Sequence, residues 1–220
     1  YHIGQVLEHF GLSSTDGRNK ALIRTVAGEM TAIVNAAEEV LCQRGDLYQS
    51  GGLIVAAGRD ATSDDVAIVP LSESALTLAL SDASDWERYD KRSHSWERCD
   101  PSPRHVSMIY KAQNYDRLPH LMGLARQPYY REQDGELVRA TGYDPVSQRL
   151  GMFESAKFPS VETSRAAAEA ALADLDELLC EFHFAAPADK AAAISAIFTA
   201  VTRSAVGLAP AFHVTAPASG

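Results

Sequence analysis

The sequence predicts an α+β fold: a mixed α/β body with antiparallel hairpins, then a C-terminal helical pair and a final short strand. Three observations carry this. The pair Gly51-Gly52 separates apolar runs at 47–49 and 53–56, and glycines at that position supply the positive φ of a tight hairpin. Trp86-Glu87-Arg88-Tyr89-Asp90 and Trp96-Glu97-Arg98-Cys99-Asp100 are near copies flanking a polar stretch, which suits a second hairpin. Beyond Phe153 the composition turns to Ala and Leu with helical spacing.

Taken in order, Ile3, Val6, Leu7 and Phe10 have helical spacing, ended by Gly11 and a polar linker at 13–17. A helix is expected over 25–44, because Met30, Ile33, Val34, Ala37, Val40 and Leu41 fall on one face and Gly45 stops it. The Gly-Gly hairpin follows, then a short strand at 66–71 and a helix at 72–80. In the second hairpin, Trp86 and Trp96 are expected to pack on one sheet face as cross-strand aromatics, with an exposed aromatic and arginine platform for stacking bases as the alternative. Pro101 and Pro103 open a helix to about residue 112 that buries Val106, Ile109 and Tyr110. An extended apolar stretch at 118–130 leads to turns at Asp134-Gly135 and Asp144-Pro145, around a strand at 136–139. Helices are expected over 164–184 and 187–203, the first striped by Leu172, Leu175, Leu178 and Leu179. A short strand is expected at 211–214. The domain plan is an N-terminal helix and linker over 1–24, an accessory domain over 25–158, the helical pair over 159–210, and the start of a further domain over 211–220.

Composition narrows the function classes. No apolar run approaches the roughly 18 residues of a membrane span, and the N-terminus carries no basic-then-apolar leader, so no membrane partner is expected. Cys42, Cys99 and Cys180 are widely spaced and form no zinc pattern; reduced thiols in the cytoplasm are expected, with no metal site. The net charge of −9 is uneven: residues 86–149 carry eleven Lys/Arg against nine Asp/Glu, the remainder nine against twenty. Any phosphate contact is therefore expected in the middle segment, through Arg88, Arg92, Arg98, Arg126, Arg131 and Arg139, whereas Arg24 and Arg44 should contribute little. No Ser/His/Asp or Cys/His spacing anchors a hydrolase, and Asp64-Asp65 reads as a solvated turn, so no catalytic residue is assigned.

The last residues, Ala211 through Gly220, read as a short apolar run entering a small-residue loop. Such a run precedes the Gly-Lys-Ser/Thr of a phosphate-binding loop, with Pro217, Ala218, Ser219 and Gly220 as its opening positions. The chain starts at Tyr1 rather than Met, and a piece of a longer protein is expected. Together with 47–55, 86–103, Thr141-Gly142-Tyr143-Asp144-Pro145 and 181–184, this order resembles the region preceding the ATPase domain of primase-helicase-like and helicase-like ATPases of bacterial prophages, plasmids and mobile elements.

That resemblance implies that ATP and Mg²⁺ belong to the following domain, since the loop lysine and hydroxyl lie beyond Gly220. This chain is then a non-catalytic accessory region of a DNA-replication ATPase, positioning the motor on DNA or in its oligomer. The alternative is a protein-interaction or oligomerisation module without DNA affinity, in which the Ala-rich helices pack between subunits. DNA and self-association are accordingly the two partners to weigh.

Overall fold

A computed structural model describes residues 20–59 and 65–215; the expected helix at 1–10, Asp64, and the loop residues Pro217, Ala218, Ser219 and Gly220 lie outside the described residues. The fold is α+β, in two compact units. The first comprises Tyr1–Leu124 with Gln148–Leu150, the second Ala125–Ser147 with Gly151–Gly220, so the segment expected as one domain over 25–158 is shared between them.

The described part of the first unit begins with a strand that runs into the start of the expected helix. β1 (Ala21–Thr25) pairs in parallel with β5 (Ser84–Asp90), placing Ile23 opposite Trp86, and α1 starts only at Met30 (Met30–Arg44). Gly28, at φ 91°, interrupts any continuous helix from residue 25. From there α1 follows its sequence stripe, burying Ile33, Ala37, Val40 and Leu41.

β2 (Leu47–Ser50) and β3 (Leu53–Arg59) make the expected hairpin; Gly51 and Gly52 have φ of 57° and 78°, the doubly positive turn that suits the strand twist. β4 (Val66–Pro70) joins them antiparallel, giving the order β2-β3-β4. α2 (Glu73–Ala83) is capped by Ser72, whose hydroxyl accepts the Ala75 N–H at 3.1 Å, and leads directly into β5. β6 (Ser95–Cys99) completes the second sheet, β1-β5-β6. α3 (Pro103–Tyr110) has Pro in its first turn and Ser102 as cap, and buries Val106 and Ile109. One core joins these pieces: Ile23 and Trp86 from the sheet, Ile33 and Leu41 from α1, Leu76 and Leu80 from α2, Val106 and Ile109 from α3.

Two buried polar side chains tie the irregular stretch after α3 to this core. Glu38, on the buried side of α1, accepts the backbone N–H of Arg117 at 2.5 Å and of Leu118 at 3.3 Å. Gln49 of β2 donates its amide to the carbonyls of Tyr115 and Leu118. The Gln49 backbone also bonds Pro119 and Leu121, so residues 119–121 run beside β2. Buried polar side chains of this kind are held only where they find such partners.

β7 (Gly123–Ala125) carries the chain out of the first unit. In the second, β8 (Tyr129–Tyr130) and β9 (Leu137–Val138) pair antiparallel around the expected Asp134-Gly135 turn, followed by β10 (Gly142–Asp144). The chain passes back and returns through β11 (Arg149–Gly151). A small core gathers Ala125, Tyr129 and Phe153 with Val138 and Phe158, the two phenylalanines meeting edge to face at 5.6 Å. α4 (Arg165–Leu178) is capped by Ser164, and α5 (Pro187–Thr202) begins at Pro187, with Asp189 accepting the Ala186 N–H at 2.9 Å. Lys190 and Asp176 link the two helices at 2.6 Å. The strand expected at 211–214 is not formed: residues 211–215 pair with no other strand, and an apolar run becomes a strand only where its backbone finds a neighbour.

Candidate functional site

The tryptophan hairpin forms, but its tryptophans point to opposite faces. The register pairs Trp86 with Cys99 and Tyr89 with Trp96 around a four-residue turn, Lys91 to His94. Residues directly opposite share a face and neighbours alternate. Paired residue numbers here sum to an odd value, so two even-numbered residues lie on different sides. Trp86 therefore enters the core at 2% exposure, its indole N–H donating to Ser84 at 3.0 Å, while Trp96 lies on the outer face. The expectation of a shared face fails because turn length, not the repeated motif, sets this parity.

The outer face of β1-β5-β6 collects Leu22, Arg24, Asp85, Glu87, Tyr89, Trp96 and Arg98. Tyr89 and Trp96 meet edge to face at 5.6 Å, and the Arg24 guanidinium sits 5.0 Å from the centre of the Trp96 ring, within cation–π range. Arg24 also pairs with Glu87 at 3.0 Å and Arg98 with Asp85 at 2.5 Å. Chemically this is an open sheet face with a half-exposed tyrosine (43%), an indole and two guanidiniums, each already balanced by a carboxylate. Arg24, set aside on sequence position, belongs to it; the signal was the period-two alternation Leu22, Arg24 against Asp85, Glu87, Tyr89. Arg44 is committed to Asp46 and Asp82, both at 2.9 Å.

The structure disperses the six candidate arginines. Arg88, Arg92 and Arg98 are exposed on the hairpin: Arg88 opposite Glu97, Arg92 in the turn where its backbone N–H bonds Asp90. Arg126 is exposed in the second unit. Arg131 and Arg139 are half-buried and engaged within that unit. The Arg131 guanidinium, 17% exposed, faces Asp134 at 3.1 Å, Glu136 at 2.8 Å and Asp144 at 3.7 Å. Arg139 donates to the carbonyls of Phe158 and Pro159 at 3.0 and 2.6 Å. Each is thus engaged within its own unit, and a phosphate contact through either would compete with these partners.

Asp144 shows why the Asp-Pro turn is structural. Its carboxylate accepts the Ser147 hydroxyl at 2.5 Å and the backbone N–H of Ser147 and Val146, and Tyr129 donates to the same carboxylate at 3.3 Å. Burial alone would raise the Asp144 pKa; the Ser147 hydrogen bonds, then Val146 and Arg131, outweigh it and hold it below the ordinary aspartate value. Carboxylate and hydroxyl here close a turn.

The remaining candidate surface is helical. Among the described residues neither α4 nor α5 buries a single side chain, in contrast to α1, α2 and α3. Leu178 and Phe182 stand 71% and 64% exposed, with Leu172, Phe198 and Val201 also open to solvent.

No group of three or more His, Cys, Asp or Glu side chains among the described residues is arranged to hold a metal ion. No described helix is long and apolar enough to cross a membrane. Comparison with protein-family models, curated proteins and solved structures gives no match.

Proposed function

We propose that this chain is a non-catalytic accessory region of a mobile-element DNA-replication ATPase and that it acts through protein contact, holding the motor in its assembly. The supporting observation is the pair α4 and α5: two helices rich in Ala, Leu and Ile that, among the described residues, fully bury no side chain and present apolar side chains to water. Isolated helices of this length are marginal in water, and apolar surface of this kind marks a binding face. The commitment of Arg131, Arg139 and Arg98 to internal or neighbouring acceptors speaks against phosphate binding as the chief role.

Titration of a fluorescein-labelled single-stranded oligonucleotide against the chain over 50–200 mM salt tests this. Weak binding, unaltered by Arg98→Glu or Arg126→Glu, is expected. Tight binding that falls steeply with salt and is weakened by those substitutions would return the function to DNA, because released counterions are the signature of phosphate contacts.

A second reading rests on the Tyr89, Trp96 and Arg24 cluster, whose rings could stack bases from an unpaired strand. It requires Trp96→Ala with Tyr89→Ala to abolish oligonucleotide binding while leaving the circular dichroism unchanged.

A further inference from the structure

The charge around the exposed helical face restricts what can cover it. Between Glu169 and Asp189 the chain carries six acidic residues (Glu169, Asp174, Asp176, Glu177, Glu181, Asp189) and no lysine or arginine. Three of the six are used locally: Glu169 pairs with Arg165 at 2.7 Å, Asp176 with Lys190 at 2.6 Å, and Asp189 caps α5. Asp174, Glu177 and Glu181 make no ion pair among the described residues. Asp174 lies one helical turn before Leu178 on α4, and Glu181 and Phe182 follow just beyond the helix end, so exposed apolar side chains and unpaired carboxylates occur together at the C-terminal end of α4.

This combination excludes several occupants. Nucleic acid and anionic lipid would meet carboxylates with phosphates. A second copy of the chain docked on the same surface would set Asp174, Glu177 and Glu181 against their own counterparts, and like charges brought together at an interface are strongly unfavourable. An apolar surface edged by unpaired carboxylates is complementary to leucine-like side chains flanked by Lys or Arg. A helix laying its apolar side onto a matching face is a recurring way of meeting that need.

We propose, resting on the protein-contact reading above, that the surface at the C-terminal end of α4, around Leu178 and Phe182, docks a basic amphipathic helix of another polypeptide. Leu178 and Phe182 supply the buried contact; Asp174, Glu177 and Glu181 meet its basic flank and set its orientation.

The test uses the full 220-residue chain and three fluorescein-labelled 18-residue peptides read by anisotropy: an amphipathic Leu/Lys helix, the same helix with Glu for every Lys, and a Leu/Lys scramble of equal composition without an apolar face. The Leu/Lys helix is expected to bind at least tenfold more tightly than either control. Leu178→Ser with Phe182→Ser should cost tenfold or more. Asp174→Lys with Glu177→Lys, both exposed and therefore compatible with folding, should invert the preference towards the Glu helix. Equal binding of the Lys and Glu helices, or retention of the Lys preference after charge reversal, overturns the proposal. A concentration-dependent dimer in sedimentation velocity that Leu178→Ser abolishes also overturns it, naming a second copy as the occupant while leaving protein contact intact. Binding of neither peptide, with no self-association, removes both the basic partner and the protein-contact reading.

Discussion

Replacing Glu38 by alanine removes the acceptor that holds two backbone N–H groups of the segment after α3. The N–H of Leu118 is buried with its residue, and an orphaned buried donor costs about 1–3 kcal/mol. Arg117 is exposed as a residue, so water recovers part of the loss at its N–H. A total near 3 kcal/mol follows, about a third of a stability of roughly 5–15 kcal/mol. With a urea slope of about 2 kcal/mol/M, the midpoint falls by about 1.5 M. Glutamine keeps a carbonyl oxygen in the same place and loses only the charge assistance, so Glu38→Gln should cost about 1 kcal/mol and about 0.5 M. The readout is fluorescence of Trp86, whose buried indole reports the core that Glu38 faces. A Glu38→Ala midpoint equal to that of the unaltered chain would refute the reasoning, and equal losses for Ala and Gln would show that charge, not acceptor geometry, holds the segment.

Gly51→Ala and Gly52→Ala should each destabilise the hairpin by about 1–2 kcal/mol, because both φ angles are positive. The second should cost more, since its new Cβ would meet the Gln113 carbonyl at 3.3 Å; urea midpoints of the two variants rank them. Because folding lowers the Asp144 pKa, that carboxyl contributes stability above the ordinary aspartate value of about 3.9, a contribution lost as pH falls through that value and towards the lower folded-state one. Thermal melts from pH 6 to pH 2 should therefore be flatter for Asp144→Asn than for the unaltered chain, and parallel curves would remove Asp144 from the acid response. Arg131→Gln should lower the melting temperature of the second unit yet leave oligonucleotide affinity and its salt slope unchanged; a flatter slope would mean that this guanidinium does reach phosphate.

The order and kind of most elements lie in short stretches of sequence. Ser72, Ser102 and Ser164 cap helices because a hydroxyl one position outside the helix reaches a free N–H two or three residues on, and α1 buries the stripe its spacing marks out. Gly51 and Gly52 fix the first hairpin for an equally local reason, the backbone angles that other residues resist. Ala-rich helices at the C-terminal end were legible in composition, though not that their apolar side chains would remain uncovered. What depends on distant partners was not legible. Residues 21–24 lie in the stretch expected as an N-terminal helix and linker, and Thr25 in the helix expected to follow; they become a strand because β5, some sixty residues later, lies alongside. Trp96 faces outward because a four-residue turn sets the hairpin register, and Arg24 joins it only through the parallel pairing. Arg131 looked available until Asp134, Glu136 and Asp144 converged on it. Helix caps and tight turns are decided by groups within a few residues of each other; strand partners, sheet faces and ion pairs are decided by which remote segments the core brings together, and only the tertiary structure supplies that.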